Sequence, residues 1–163
     1  MTLPVFVTGV LHGPESALGW LFGLAAGLEI PLMLLTAFVA ARVGKSRLII
    51  LGAIGYVIYF SIIANAHTVG VLYPNQLLAA LAISINMGIA ISYFQDLLPG
   101  QPGVSTALFS SSFTLGGVLS GVVFASVGST FGYRGIFAAC AILAAIAAML
   151  MASIPKNTAK ASL

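Results

Sequence analysis

The chain has 163 residues, 60% of them hydrophobic and only 6% charged, with a mean hydropathy of +1.14. Soluble domains carry about 25% charged residues, so a chain this poor in charge cannot cover a water-exposed surface, and a soluble fold is excluded. The formal charge of +3 comes from six basic residues in three small groups that form no basic stripe, which excludes nucleic acid as the partner the charge would serve.

The first apolar piece, "MTLPVFVTGVL", is short. It lacks a basic leader and a small-residue cleavage site, so it does not read as a signal peptide. At 1.5 Å per residue it makes ~16 Å of helix, about half of the ~30 Å hydrocarbon core. It lies either at the interface or at the end of a helix whose start is missing.

Five longer apolar runs follow, over residues 17–41, 48–66, 71–95, 104–128 and 136–154. Each reaches the length of about 20 residues needed to cross a bilayer. They are too long for strands and lack strict alternation, so they predict helices, the form that satisfies its own backbone in lipid. Polar or glycine-rich punctuation separates them: "RVGKSR", "NAHTVG", "DLLPGQPG" and "STFGYRG" in turn. The fold class is therefore an all-α integral membrane protein with five full transmembrane helices plus a partial one, in a single membrane domain. Residues 155–163 form a short polar tail.

Lys and Arg orient the bundle. Arg42, Lys45 and Arg47 lie after the first full span and Lys156 and Lys160 after the last, while Arg134 alone falls on the opposite side. The excess of positive charge on the inner side predicts a cytoplasmic "RVGKSR" loop and a cytoplasmic C-terminus.

Within the first full span, Glu29 lies at the midpoint of an apolar run, ~18 Å from either end. An ionised carboxylate there costs at least ~2.5 kcal/mol, and no Lys or Arg falls at that depth to pair with it. Protonation, a partner from another molecule, or a water-filled cavity would relieve the cost. A proton-coupled or substrate-binding role meets that description, and so does a protonated side chain bonded to a neighbouring helix. Pro31 lies two residues on and leaves the Gly27 carbonyl without its usual donor, so a bend and a cavity-facing carbonyl are expected.

Gly19, Gly23 and Gly27 repeat every fourth residue on this helix, and Ser112, Gly116 and Ser120 do so on the fourth. Such rows let helix backbones approach closely, either in ordinary packing or in a sliding contact. In the third span, Asn86 and Tyr93 are seven residues apart, which puts them on roughly one face of a regular helix. An amide and a phenol suit sugar hydroxyls, and equally suit helix-to-helix bonds. Gln95 and Asp96 end that helix. An acid at a helix C-terminus opposes the dipole, so Asp96 is a candidate partner for the "RVGKSR" loop in a cytoplasmic gate, or else a solvated loop acid. "FSSSFT" (109–114) is a hydroxyl patch that either faces a cavity or bonds its own backbone. His12 and His67 have no second ligand at helical spacing, so no metal site is expected. Cys140 is alone in an alanine-rich run and reads as packing. No nucleophile elbow, phosphate loop or Cys/His cluster suggests an enzyme or a cofactor.

The loop "AFVAARVGKSR" (37–47) resembles the short cytoplasmic signature of the major facilitator superfamily, with Arg42, Gly44 and Lys45 in the matching positions. Ala41 stands where that signature often has Asp, so the charge-relay form is missing, as is common in C-terminal halves. "FGYRGIF" (131–137) is similar to the aromatic-Arg lead-in to a final helix in the superfamily. "AAGLEIPLML" (25–34) and "YFQDLLPGQPG" (93–103) resemble the sugar efflux transporter family within it. The resemblance covers nearly all of residues 1–155 and corresponds to the C-terminal six-helix half, helices seven to twelve, with the start of helix seven missing. It implies proton-driven export of sugars or sugar-like glycosides, with the chain in the inner membrane; Glu29, Asn86 and Tyr93, singled out above by their chemistry and depth, are the candidates for contact with substrate or proton. A twelve-helix transporter needs another half. Truncation, a separate N-terminal half and a homodimer are the three ways to reconcile that with this length, and truncation is the expectation. The competing reading is a non-transporting accessory or assembly subunit that docks through its glycine rows.

Overall fold

The computed structural model describes residues 2–154. We label its helices α1 (Thr2–Val5, continued by a π turn over Phe6–Val10), α2 (Glu15–Val43), α3 (Lys45–Ala64) and α4 (Val69–Leu97), followed by the two arms of Pro102–Ser153, α5 (102–131) and α6 (133–153). The described residues hold four helical stretches long and apolar enough to cross a membrane, and the last of them carries two spans. Each observed helix is within a few residues of an apolar run, because the length of unbroken apolar sequence sets both.

Glycine makes the sharp corners. Gly44 is the whole connection between α2 and α3, at φ 92° and ψ 140°, a conformation closed to residues with a Cβ. Gly132, at φ 66° and ψ −171°, breaks the 52-residue helical stretch. The chain folds back there: Ile136 packs on Gly128, and the Phe124 and Tyr133 rings lie 6.5 Å apart. In a straight helix, residues eight or nine apart would be separated by ~12–13 Å of rise.

α4 is the central helix, packed on α2 along one side and α3 along the other, and α3 in turn packs on the α5–α6 stretch. Two apolar clusters hold the ends. At the Arg134 end Phe6, Val7, Leu21, Ile63, Leu72 and Phe137 meet, joining α1, α2, α3, α4 and α6. At the Lys45 end Ala40, Leu48, Ile85 and Ile89 join α2, α3 and α4. Gly52 lets α3 and α4 approach closely, since a Cβ there would come within 2.8 Å of Ile85 Cγ2.

The bend expected at Pro31 does not interrupt α2, which stays helical through it. The irregularity falls in α4 instead, where a π turn spans Ile85–Ile89. It shifts the helical phase by roughly a quarter-turn. Asn86 and Tyr93 therefore do not share a face, contrary to their regular spacing.

Candidate functional site

Glu29 is half-buried in the middle of α2. The face it occupies follows from Met33, one turn on, whose Cε packs on Gly88 in the π turn of α4. Ser84, fully buried on α4, donates from Oγ to the Glu29 carbonyl oxygen at 3.2 Å. The Glu29 backbone thus lies against α4, and among the described residues its carboxylate makes no ion pair. A carboxylate at that depth in an apolar helix is costly to leave without a polar partner.

Gly19, Gly23 and Gly27 lie between about a fifth and just under half of a turn round α2 from Glu29. With Trp20 and Leu28 they line an open groove of about 650 Å³, and a Cβ at any of the three glycines would meet nothing within 4 Å. Gly116 and its neighbours Gly117 and Gly121 are equally free, and Ser112 and Ser120 on the same arm are exposed. Among the described residues nothing packs closely on either row.

Asn86 lies in the π turn, half-buried, and donates from Nδ2 to the Ala82 carbonyl at 2.8 Å, beside Gly52 of α3. Tyr93 is half-buried further along α4. Two hydroxyls of "FSSSFT" bond their own helix, Ser112 to the Leu108 carbonyl at 2.9 Å and Thr114 to the Ser110 carbonyl at 3.0 Å.

At the loop end, Lys45 Nζ meets Asp96 Oδ2 at 2.6 Å and donates to the Ser92 carbonyl at 3.4 Å. The lysine thereby supplies positive charge at the C-terminus of α4, where the helix dipole favours it. Arg42 ends α2 and Gly44 makes its turn. His12 and His67 both fall in connections at the opposite end, and Lys156, Lys160 and the tail 155–163 lie outside the described residues.

Three polar features escape the sequence reading. Arg134 donates to the carbonyls of Ala64 at 2.9 Å and Ala66 at 2.7 Å, and stands 5.8 Å from the Phe6 ring centroid. It ties the end of α3 to α1 and α6. Thr36 and Ser105 are buried and bond their own backbones. Asn75 and Gln76 are 3% exposed near the start of α4, where a reading by hydropathy sees only the edge of a span.

The Major Facilitator Superfamily profile matches residues 1–162. The chain belongs to the Major Facilitator Superfamily. It is 32% identical over 152 residues to "Sugar efflux transporter A" of Escherichia coli, covering 93% of the chain and 39% of that protein. It is 35% identical to "Sugar efflux transporter A" of Dickeya chrysanthemi, over 93% of the chain and 38% of the relative. Against "Sugar efflux transporter B" of Salmonella typhimurium it is 35% identical, over 84% and 35% respectively. The chain therefore spans little more than a third of the length of these relatives. No solved structure gives a significant match. Membership of this superfamily fits the all-helical bundle.

Proposed function

We propose that this chain is the C-terminal half of a proton-coupled exporter of sugars or sugar-like solutes in the inner membrane, working by alternating access with an N-terminal half. The similarity to sugar efflux transporters over most of the chain carries the reading. Glu29 is its protonatable or substrate-binding carboxylate, with Asn86 and Tyr93 lining the solute path at successive depths. Lys45 and Asp96 close the cytoplasmic end, and the C-terminus lies in the cytoplasm. The free rows of α2 and α5 are the surfaces on which the other half docks. Small-residue faces suit a contact that must slide.

The test pairs the chain with the N-terminal half of a similar sugar efflux transporter in inverted vesicles and follows pH-gradient-driven movement of labelled sugar. Transport that requires both halves and is abolished by Glu29→Gln is the expected result. Transport unchanged by Glu29→Gln removes that residue from the mechanism.

The free glycine rows also favour a second reading, a non-transporting assembly subunit. Such a subunit would tolerate Glu29→Gln and lose its partner on Gly23→Leu or Gly116→Leu.

A further inference from the structure

α2 rests chiefly on α4, and among the described residues a single side-chain hydrogen bond joins the two helices. It runs from the fully buried Ser84 Oγ to the Glu29 carbonyl at 3.2 Å. Every other serine or threonine hydroxyl that bonds among the described residues turns back on its own helix, from Thr8 and Thr36 to Ser126 and Ser153. That is the ordinary habit of such hydroxyls in helices. Ser84 departs from it, and the carbonyl it reaches belongs to the one acid in the middle of a span.

The bond falls where α2 is least able to hold its own register. Pro31 has no N–H, so the helical bond back to Gly27 is missing, and Glu29 lies between those two positions. Met33 also meets α4, through its Cε on Gly88. That contact is apolar and non-directional, so it permits sliding and rotation. A hydrogen bond has a preferred distance and angle and resists both. Shifting the register of α2 by one residue swings its side chains by about 100°. A pin on the Glu29 carbonyl therefore sets the direction in which its carboxyl leaves the helix.

We propose that Ser84 is a positioning residue for Glu29, holding the backbone and, through it, the orientation of the carboxyl. Its weight in transport rests on the reading of Glu29 as the transport carboxylate; the orientation itself does not.

The test is modification of the full chain in nanodiscs by dicyclohexylcarbodiimide, a lipid-soluble reagent that adds to protonated carboxyls. Peptide mass spectrometry gives the rate at Glu29, and Tm is measured on the same samples. Ser84→Ala should speed modification of Glu29 by about threefold, the weight of one interhelical hydrogen bond in a membrane, because an unpinned carboxyl samples more exposed orientations. Ser84→Cys, with a weaker donor, should fall between that variant and the unaltered chain. Ile63→Ala empties part of the buried cluster at the Arg134 end. It should lower Tm more than Ser84→Ala does and leave the Glu29 rate unchanged. An unchanged Glu29 rate in Ser84→Ala overturns the proposal. So does an equal acceleration in Ile63→Ala, which would make the rate a gauge of general loosening. If Ser84→Ala does not fold, the Ser84→Cys rate decides in the same way.

In vesicles holding both halves, Ser84→Ala should slow sugar movement by about threefold, short of the loss expected from Glu29→Gln. A faster Glu29 modification combined with transport indifferent to Glu29→Gln would sink the transporter reading and leave the positioning in place. The rate is read without transport, so the two failures are distinct results.

Discussion

Single side chains do most at the ends of the bundle. The Arg134 fork reaches two carbonyls at once, and charge-assisted bonds of this kind are worth about 1.5–3 kcal/mol. Arg134→Ala is expected to destabilise the chain by about 2–3 kcal/mol in thermal melts. Arg134→Lys should recover only part of that, because an ammonium cannot span two acceptors in one plane. Lys45 and Asp96 are a different case. Their side chains are 31% and 59% exposed, and exposed pairs contribute about 0–1 kcal/mol. A double-mutant cycle on Lys45→Gln and Asp96→Asn should therefore give a coupling below about 1 kcal/mol, even though both substitutions alter how often the loop end opens, measured by thiol labelling at Ser92→Cys. The Lys45–Asp96 pairing was among the readings open from sequence, because an acid opposing a helix dipole asks for a cation. Arg134 was read only as a marker of orientation. Its hydrogen-bond partners are backbone carbonyls, which no sequence displays.

At the scale of helices, the spans were legible because lipid imposes a minimum apolar length, and each helix falls within a few residues of an apolar run. The positions of closest approach were not. Gly52 and Gly55 carry no pattern that separates them from Gly19 or Gly23, yet Gly52 is pressed against Ile85 while Gly19 and Gly23 are open. Gly52→Ala is therefore expected to cost about 1–3 kcal/mol by overpacking the α3–α4 crossing. Gly23→Ala should leave the Tm of the isolated chain unchanged or slightly raised, because an alanine suits a helix better. Gly44→Ala would force a Cβ into a backbone region it does not tolerate, for about 1–2 kcal/mol. Whether a small residue faces a neighbour is a property of the tertiary arrangement, and the spacing of small residues along one helix cannot carry it.

At the scale of the whole molecule, two helix faces stay uncovered among the described residues. Besides the glycine rows, α2 exposes Trp20, Ile30, Leu34 and Phe38, and α5 exposes Phe113, Leu115, Val118 and Leu119. Lipid can cover the large side chains, but a row without side chains leaves backbone close to the surface, where another helix fits better than acyl chains do. Gly23→Leu combined with Gly116→Leu is expected to leave the fold intact and abolish capture of an N-terminal half, as read by co-purification from mixed membranes. Undiminished capture would mean that the halves meet elsewhere. Glu29 was legible as a functional candidate from its charge and depth alone. Its backbone partner Ser84 comes from α4, and that contact depends on a crossing geometry that no periodicity encodes.

The π turn at Ile85–Ile89 also has a genetic meaning. A helix carrying five residues where four would close a turn is a helix with one residue inserted. Removing a single codon in that stretch would restore a regular helix without opening a gap in it. It would also rotate everything beyond by roughly a quarter-turn, carrying Asp96 away from Lys45 and Phe94 away from its edge contact with Phe109. A one-residue deletion here is therefore a mutation that backbone geometry tolerates and tertiary contacts reject, and deleting one of residues 85–89 should leave α4 helical while breaking the Lys45–Asp96 pair.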